Sequence, residues 1–187
     1  MTDYPDDIFT ERDDVDVDTL ANLGPLAPMA GVWEGTKGLD VNPYIDAPRR
    51  QVFIERIELQ PVDRQSNGPQ VLYGLRYHTH IVKPGEVETY HDQVGYRLWE
   101  PATRTIILSL SIPRAQAVLA IGHAEPDARS FEVTAVTIND DGTWSYFEDT
   151  VPRVRGEAEP FHHTDRNTFT RIEAPTPNPL AREAQAA

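Results

Sequence analysis

The sequence predicts an all-β protein whose strands form a closed or nearly closed antiparallel up-and-down β-barrel, with a short helix at its N-terminal end. Three observations favour this fold class. Strand-like runs with alternating apolar and polar residues fill most of the chain. Turn-forming residues separate these runs at short intervals, and short connections join antiparallel neighbours. Long strands with almost no helix also favour closure, because an open sheet leaves unpaired edges exposed.

The elements follow from this pattern in chain order. We predict a short helix over residues 18–23 and expect the segment up to Ala30 to pack as a lid or plug. Nine strands are predicted, over residues 31–37, 49–60, 69–82, 87–99, 104–112, 115–122, 129–139, 142–151 and 162–173. A barrel of this size can hold a ligand in its interior.

One predicted strand does not keep a constant phase. Within residues 129–139, Phe131 and Val133 fall on one parity, whereas Val136 and Ile138 fall on the other. The sequence predicts either a β-bulge near Ala135 or a shortened hairpin at this point.

Length and composition indicate a single ligand-binding domain. The 187 residues suit one barrel over residues 18–173, preceded by a flexible acidic arm (1–17) and followed by a disordered tail (174–187). A net charge of −13 disfavours nucleic acid and anionic membrane surfaces as partners. No cysteine is present, and neither a secretory signal nor a transmembrane run is recognisable, so we expect a cytoplasmic protein. The oligomeric state stays open, with a homodimer among the states that the sequence allows.

Three of the six histidines flank the Pro84-Gly85 dipeptide. If this dipeptide forms a two-residue hairpin turn, His78 faces His91 and His80 faces Thr89 across the two strands.

This register places polar and apolar side chains on opposite faces of the sheet. The polar face carries the candidate cavity-lining residues Arg76, His78, His80 and His91, with Arg97 at the same parity. HxH spacing can serve a metal site, but we favour a polar barrel wall because no acidic residue belongs naturally to that face. The opposite face, which we expect to be more buried, carries Tyr73, Leu75, Tyr77, Thr79, Ile81, Tyr90, Val94, Tyr96 and Leu98.

Several motifs in order along the chain resemble the nitrobindin family, also described as heme-binding-like or fatty-acid-binding-protein-like barrels. The stretch LAPMAGVWEGTKG is similar to the opening GxWxGxG motif, with Gly31, Trp33 and Gly35 in place and Lys37 at the third glycine position. Four further segments resemble later strands: FIERIEL, VLYGLRYHTH, HDQVGYRLWEP and LSLSIPRAQAVLAIGH. The resemblance covers about residues 24–173.

The resemblance implies a ten-stranded antiparallel barrel of the calycin (lipocalin-like) type that binds heme b through one histidine near the last strand. That histidine corresponds to His163, with His162 as the fallback, and Trp33 and Gly35 belong to the implied cofactor-binding set. The implied activity is isomerisation of peroxynitrite to nitrate by the ferric form, or nitric oxide handling, if heme binds. The polar final stretch HHTDRNTF indicates a divergent member with a more polar cavity.

Two alternative functions remain open at this stage. The first is a non-heme carrier of a fatty acid or another small hydrophobic anion, with Arg76 or Arg97 on the carboxylate. The second is an interaction module whose barrel is filled and holds no ligand.

Overall fold

The computed structural model describes residues 14–42, 47–67, 70–133, 135–150 and 163–186. Two 3₁₀ helices, Leu20–Asn22 and Gly24–Met29, precede the first strand. The strands are β1 (Gly31–Asn42), β2 (Arg49–Pro61), β3 (Gln65–Asn67), β4 (Gln70–Val82), β5 (Thr89–Glu100), β6 (Thr105–Ile112), β7 (Gln116–His123), β8 (Ser130–Glu132), β9 (Ala135–Ile138), β10 (Trp144–Thr150) and β11 (His163–Glu173). A helix, α1 (Pro179–Ala186), follows the last strand.

Ten of these strands form one antiparallel wall, which confirms the predicted nearly closed barrel. Their order around the wall is β7-β6-β5-β4-β2-β1-β11-β10-β9-β8, and the short β3 pairs with β4 beside it. The first strand in the sequence, β1, pairs with the last, β11. At the remaining seam β7 approaches β8 so closely that a Cβ at Gly122 would lie 2.3 Å from the carbonyl oxygen of Glu132.

One end of the barrel is filled by the 3₁₀ segment and the tryptophans. Trp33 is 1% exposed, and its indole Nε1 donates a hydrogen bond to the carbonyl oxygen of Met29 at 2.7 Å. Its ring meets that of Trp144 edge-on, and Trp144 stacks on Phe169 with ring centroids 4.3 Å apart. The helix expected over residues 18–23 is a 3₁₀ turn at Leu20–Asn22. The expected plug segment forms a second 3₁₀ helix, Gly24–Met29, whose prolines cannot donate the hydrogen bonds of an α-helix.

The phase break in the 129–139 segment is a hairpin and not a bulge. Strands β8 and β9 pair antiparallel, with Phe131 opposite Val136, and both side chains are buried. Reversal of the chain between Glu132 and Ala135 explains why apolar residues of both parities point into the barrel.

The C-terminal segment differs from the prediction of a disordered tail over 174–187. Helix α1 forms there, and both Asn178 and Ala181 are only 1% exposed. The Asn178 side chain donates hydrogen bonds to the Val17 carbonyl and to Asp63 Oδ1, both at 3.0 Å, which anchors the segment to the barrel. Most of the predicted acidic arm, residues 1–13, lies outside the described residues. No helix in the described ranges is long and apolar enough to cross a membrane.

Candidate functional site

The barrel encloses a cavity of about 470 Å³, which is within the range of small-molecule sites. One set of lining side chains is apolar or aromatic: Phe53, Ile57, Tyr77, Ile81, Tyr90, Leu108, Leu110, Ile112, Val118, Trp144 and Tyr146. The other set is polar or charged: Asp40, Asn42, Glu55, Thr79, His91, Gln93, Arg97, Arg114, Gln116, Glu148, His163 and Asp165. The interior is therefore amphipathic and rich in titratable groups.

A bulge in β1 brings Asp40 into the cavity. The strand register shifts between Gly35 and Gly38, where Thr36 and Lys37 are both exposed, so that Gly38 and Asp40 point inward. Lys37, which stands at the third glycine position of the opening motif, thus takes the outer position of a bulge, and Gly38 supplies the inward glycine.

Asp40 is the centre of a hydrogen-bonded cluster at the cavity wall. Its carboxylate is 6% exposed and accepts hydrogen bonds from Tyr90 Oη at 2.6 Å and from Asn42 Nδ2 at 2.5 Å. Its other oxygen lies 2.8 Å from Nε2 of His163. A carboxylate with three donors around it is a strong orienting group for the imidazole.

His163, the predicted iron ligand, opens β11 and lines the cavity. Its side chain is 35% exposed, so it lies where the interior meets solvent. The fallback ligand, His162, lies outside the described residues.

A second polar cluster surrounds Glu55, which is 4% exposed. Its Oε2 accepts hydrogen bonds at 3.2 Å from Asn167 Nδ2 and from Tyr146 Oη. The pKa of Glu55 is raised to about 8, mainly by burial and also by the nearby charge of Asp165, although these hydrogen bonds act in the opposite direction. Glu55 is therefore largely protonated at neutral pH.

Asp165 is next to this cluster and also has a perturbed acidity. Burial and the charge of Glu148 raise the pKa of Asp165 to about 7. Within the described residues its Oδ1 has no hydrogen-bond partner.

Arg97 faces the same cavity from β5 and is 7% exposed. Its guanidinium carbon lies 5.6 Å from the centre of the Tyr77 ring. Burial lowers the pKa of Arg97, but an arginine starts so high that it stays a cation at neutral pH. The prediction that Arg97 and Arg76 share a face is wrong, since Arg76 is exposed on the outside of the barrel.

The predicted convergence of three histidines is also wrong. His78 pairs with Val94 and His80 with Asp92, so both point outward, whereas His91 pairs with Ile81 and points into the cavity. The cause lies in the turn: Pro84-Gly85 forms a β-turn with φ of +78° at Gly85, which is type II geometry and does not close a two-residue hairpin.

The connection therefore extends over residues 83–88, and a register shift follows at the start of β5. On the outer face His78 Nε2 lies 2.8 Å from Asp92 Oδ2, and His80 Nε2 lies 3.0 Å from Thr89 Oγ1. Arg76 and His78 line a separate groove there. Of the four candidate lining residues, only His91 lines the barrel cavity. Val94 and Tyr96, which we expected on the more buried face, are about half exposed.

Trp33 and Gly35, the other predicted cofactor-binding residues, have roles in packing the barrel. Trp33 belongs to the packed end of the barrel and has Arg171 over its ring at 4.5 Å. A Cβ at Gly35 would lie 2.4 Å from Asn167 Nδ2, so the missing side chain makes room for the bond between Asn167 and Glu55.

Sequence patterns did not identify four of the cavity residues: Asp40, Glu55, Tyr146 and Asp165. For Glu55 a signal was available, because it shares the parity of the buried Phe53 and Ile57 in FIERIEL. A charged residue at an inward position of a strand is a candidate for a functional site.

Comparisons with known proteins agree with this architecture. A family model described as the THAP4-like, heme-binding beta-barrel domain matches residues 22–143. Among solved structures, the chain is similar to the Rv2717c protein from M. tuberculosis, with a TM-score of 0.53 and 18% sequence identity over 82% of this chain and 96% of that one. This second likeness shows the fold alone. Comparison with curated proteins gives no match. His163 lies beyond the residues that the family model matches.

Proposed function

Because the chain belongs to the family of THAP4-like, heme-binding β-barrel domains, we propose that it binds heme b in the barrel cavity with His163 as the axial ligand of the iron. The observation that carries the assignment is the position of His163, on the cavity wall with one ring nitrogen 2.8 Å from Asp40.

The bond to Asp40 gives His163 the chemistry of a metal ligand. A carboxylate only accepts hydrogen bonds, so the imidazole nitrogen next to it must donate. In a neutral imidazole the other ring nitrogen then carries a lone pair and can coordinate iron. The carboxylate also fixes the orientation of the ring.

His91 is the other described histidine on the cavity wall, and its ring is less suited to this role. Its Nε2 lies 3.3 Å from Gln93 Oε1, and its Nδ1 lies 3.2 Å from an Nη2 donor of Arg114. Both nitrogens therefore already have partners. Burial lowers the pKa of His91, which favours the neutral ring that these contacts require.

The cavity lining suits the ring system of heme b. Apolar side chains such as Phe53, Ile81 and Leu110 offer contact to a flat hydrophobic group, and the Asp40–His163 pair offers one axial ligand. When bound, the iron supplies a site for small oxidised nitrogen or oxygen species. The enzymatic part of the proposal is conversion of peroxynitrite to nitrate by the heme-loaded protein.

Titration of the heme-free protein with ferric heme tests the binding proposal. We expect a saturable Soret band for the wild type and its loss in His163→Ala. The matched control is His78→Ala, because His78 also contacts a carboxylate but lies on the outer face. This variant should give the wild-type titration curve. We also expect Asp40→Asn to weaken heme binding by about 10-fold or more, the usual effect of removing such a partner.

Two outcomes contradict the proposal. A full Soret band in His163→Ala, lost instead in His91→Ala, would move the ligand to the other wall. No saturable band in the wild type would mean that this cavity serves another ligand. A peroxynitrite assay is informative only for protein that carries heme in the first titration.

A further inference from the structure

The barrel interior contains a buried cation, Arg97, two of whose nitrogens have no hydrogen-bond acceptor in the described part of the chain. Arg97 is more than nine-tenths buried, and the two nitrogens are its Nε and Nη1. Burial of a charged group without an opposite charge or acceptors is strongly unfavourable. Such a residue is retained at a cost to stability, which indicates that something else satisfies it when the protein functions.

The acidic groups of the cavity do not fill this role in the described structure. No described carboxylate forms an ion pair with Arg97. Glu55 faces the same space but uses Oε2 for Asn167 and Tyr146, and its raised pKa keeps it largely neutral near pH 7. Glu148 contributes only a longer-range electrostatic attraction.

A second donor is oriented next to Arg97. Arg114 donates to Nδ1 of His91, which leaves the Nε2 hydrogen of His91 for Gln93 Oε1. Gln93 Nε2 in turn donates to the hydroxyl oxygen of Tyr77 at 2.6 Å. In this series of hydrogen bonds each residue donates to the next, from Arg114 to Tyr77, so the Tyr77 hydroxyl hydrogen is left to donate. It has no acceptor among the described residues.

The cross-strand neighbours of Arg97 are apolar. On its neighbouring strands Arg97 is paired with Leu75 and Leu108, which are 0% and 5% exposed. Hydrogen bonds to an anion are stronger where such side chains exclude water.

We propose that Arg97 and Tyr77 form an anion subsite inside the barrel, which takes the carboxylate of a small hydrophobic acid. The guanidinium supplies the positive charge, the phenol supplies a second hydrogen bond, and the apolar lining receives the hydrocarbon part. The subsite does not require heme or His163. Arg76, the other candidate partner for a carboxylate, lies on the outer face and cannot belong to this subsite.

Calorimetric titration of the heme-free protein with octanoate and with octan-1-ol tests the subsite, since the two probes share a chain and differ in the head group. We expect the wild type to prefer octanoate, and Arg97→Gln to weaken octanoate binding by at least about tenfold without affecting octanol. Tyr77→Phe, which keeps the ring, should weaken octanoate binding several-fold. Arg76→Gln is the matched control and should bind both probes as the wild type does.

A stability measurement separates this role from a structural one. Removing an unsatisfied buried charge relieves the apo protein, so the thermal midpoint of Arg97→Gln should equal or exceed that of the wild type. An arginine needed for folding would instead lower it.

The proposal is overturned if the wild type binds octanoate no better than octanol, or if Arg97→Gln binds octanoate as tightly as the wild type does. Should Arg97→Gln not fold, the wild-type preference together with Tyr77→Phe still decides. Because heme is absent throughout, failure of the heme titration and failure of this experiment are separate results.

Discussion

Asn167 on β11 reaches across β1 and donates a hydrogen bond from Nδ2 to Oε2 of Glu55 on β2, at 3.2 Å. The same nitrogen lies 3.3 Å from the carbonyl oxygen of Gly35, the β1 residue between them. Both side chains are at least nine-tenths buried. This contact ties three strands together beneath the cavity and depends on the absence of a side chain at position 35.

Gly35→Ala should therefore destabilise the protein. The new Cβ would lie 2.4 Å from Asn167 Nδ2, so the amide must move away and leave buried polar atoms without partners. Such a loss costs about 1–3 kcal/mol, which urea unfolding followed by circular dichroism would detect.

A double-mutant cycle shows whether Asn167 is the cause. In the Asn167→Ala background the side chain that clashes is absent, so Gly35→Ala should cost clearly less than it does in the wild type. Equal penalties in the two backgrounds would mean that the backbone at position 35, and not the amide, opposes a side chain.

Glu55 should make stability depend on pH. Burial raises its folded pKa from the usual 4.5 to about 8, so between these pH values the folded state holds a proton that the unfolded state has lost. The free energy of unfolding therefore falls as pH rises through this window, by at most about 1.4 kcal/mol per pH unit, and the fall ends above pH 8. This sign is opposite to that of a salt-bridged carboxylate.

Glu55→Gln isolates this contribution. The substitution keeps an oxygen that can accept from Asn167 and Tyr146 and removes the proton equilibrium, so the variant should lose this part of the pH slope and gain stability near pH 8. Urea midpoints of both proteins, measured at intervals from pH 5 to pH 9, provide the test. Parallel curves for variant and wild type would show that Glu55 titrates normally.

The barrel itself was predictable from local patterns. Alternation in segments such as FIERIEL and regular turns are properties of the chain alone, and they indicated the strands and their antiparallel order. The phase break after Phe131 was visible for the same reason, although only the pairing of Phe131 with Val136 shows that it is a hairpin.

The orientation of β5 was not predictable in this way. A strand that lines a polar cavity can carry its apolar side chains outside, and here Val94 and Tyr96 are about half exposed whereas Arg97 is buried. Polarity alone then predicts the wrong face of β5 to be the more buried one. The real partner of His78 is Val94, three residues beyond the predicted His91, and an odd shift turns every β5 side chain to the other face.

Disulfide cross-linking tests this register directly, since the chain contains no cysteine of its own. Residues directly opposite on antiparallel strands have Cα atoms about 4.5–5.5 Å apart, which is within the range that a disulfide spans. We expect His78→Cys combined with Val94→Cys to form an intramolecular disulfide under mild oxidation. Both sites are exposed on the outer face, so the substitutions should leave the barrel intact.

The comparison pair is His78→Cys with His91→Cys, which the two-residue turn would bring together. In the structure these side chains point to opposite faces of the sheet, so both thiols should stay free in the monomer and react with a thiol reagent after oxidation. Cross-linking of this second pair, with free thiols in the first, would restore the two-residue turn. It would also turn Arg97 out of the cavity, because the register determines which face of β5 points inward. The anion subsite would then lose its basis.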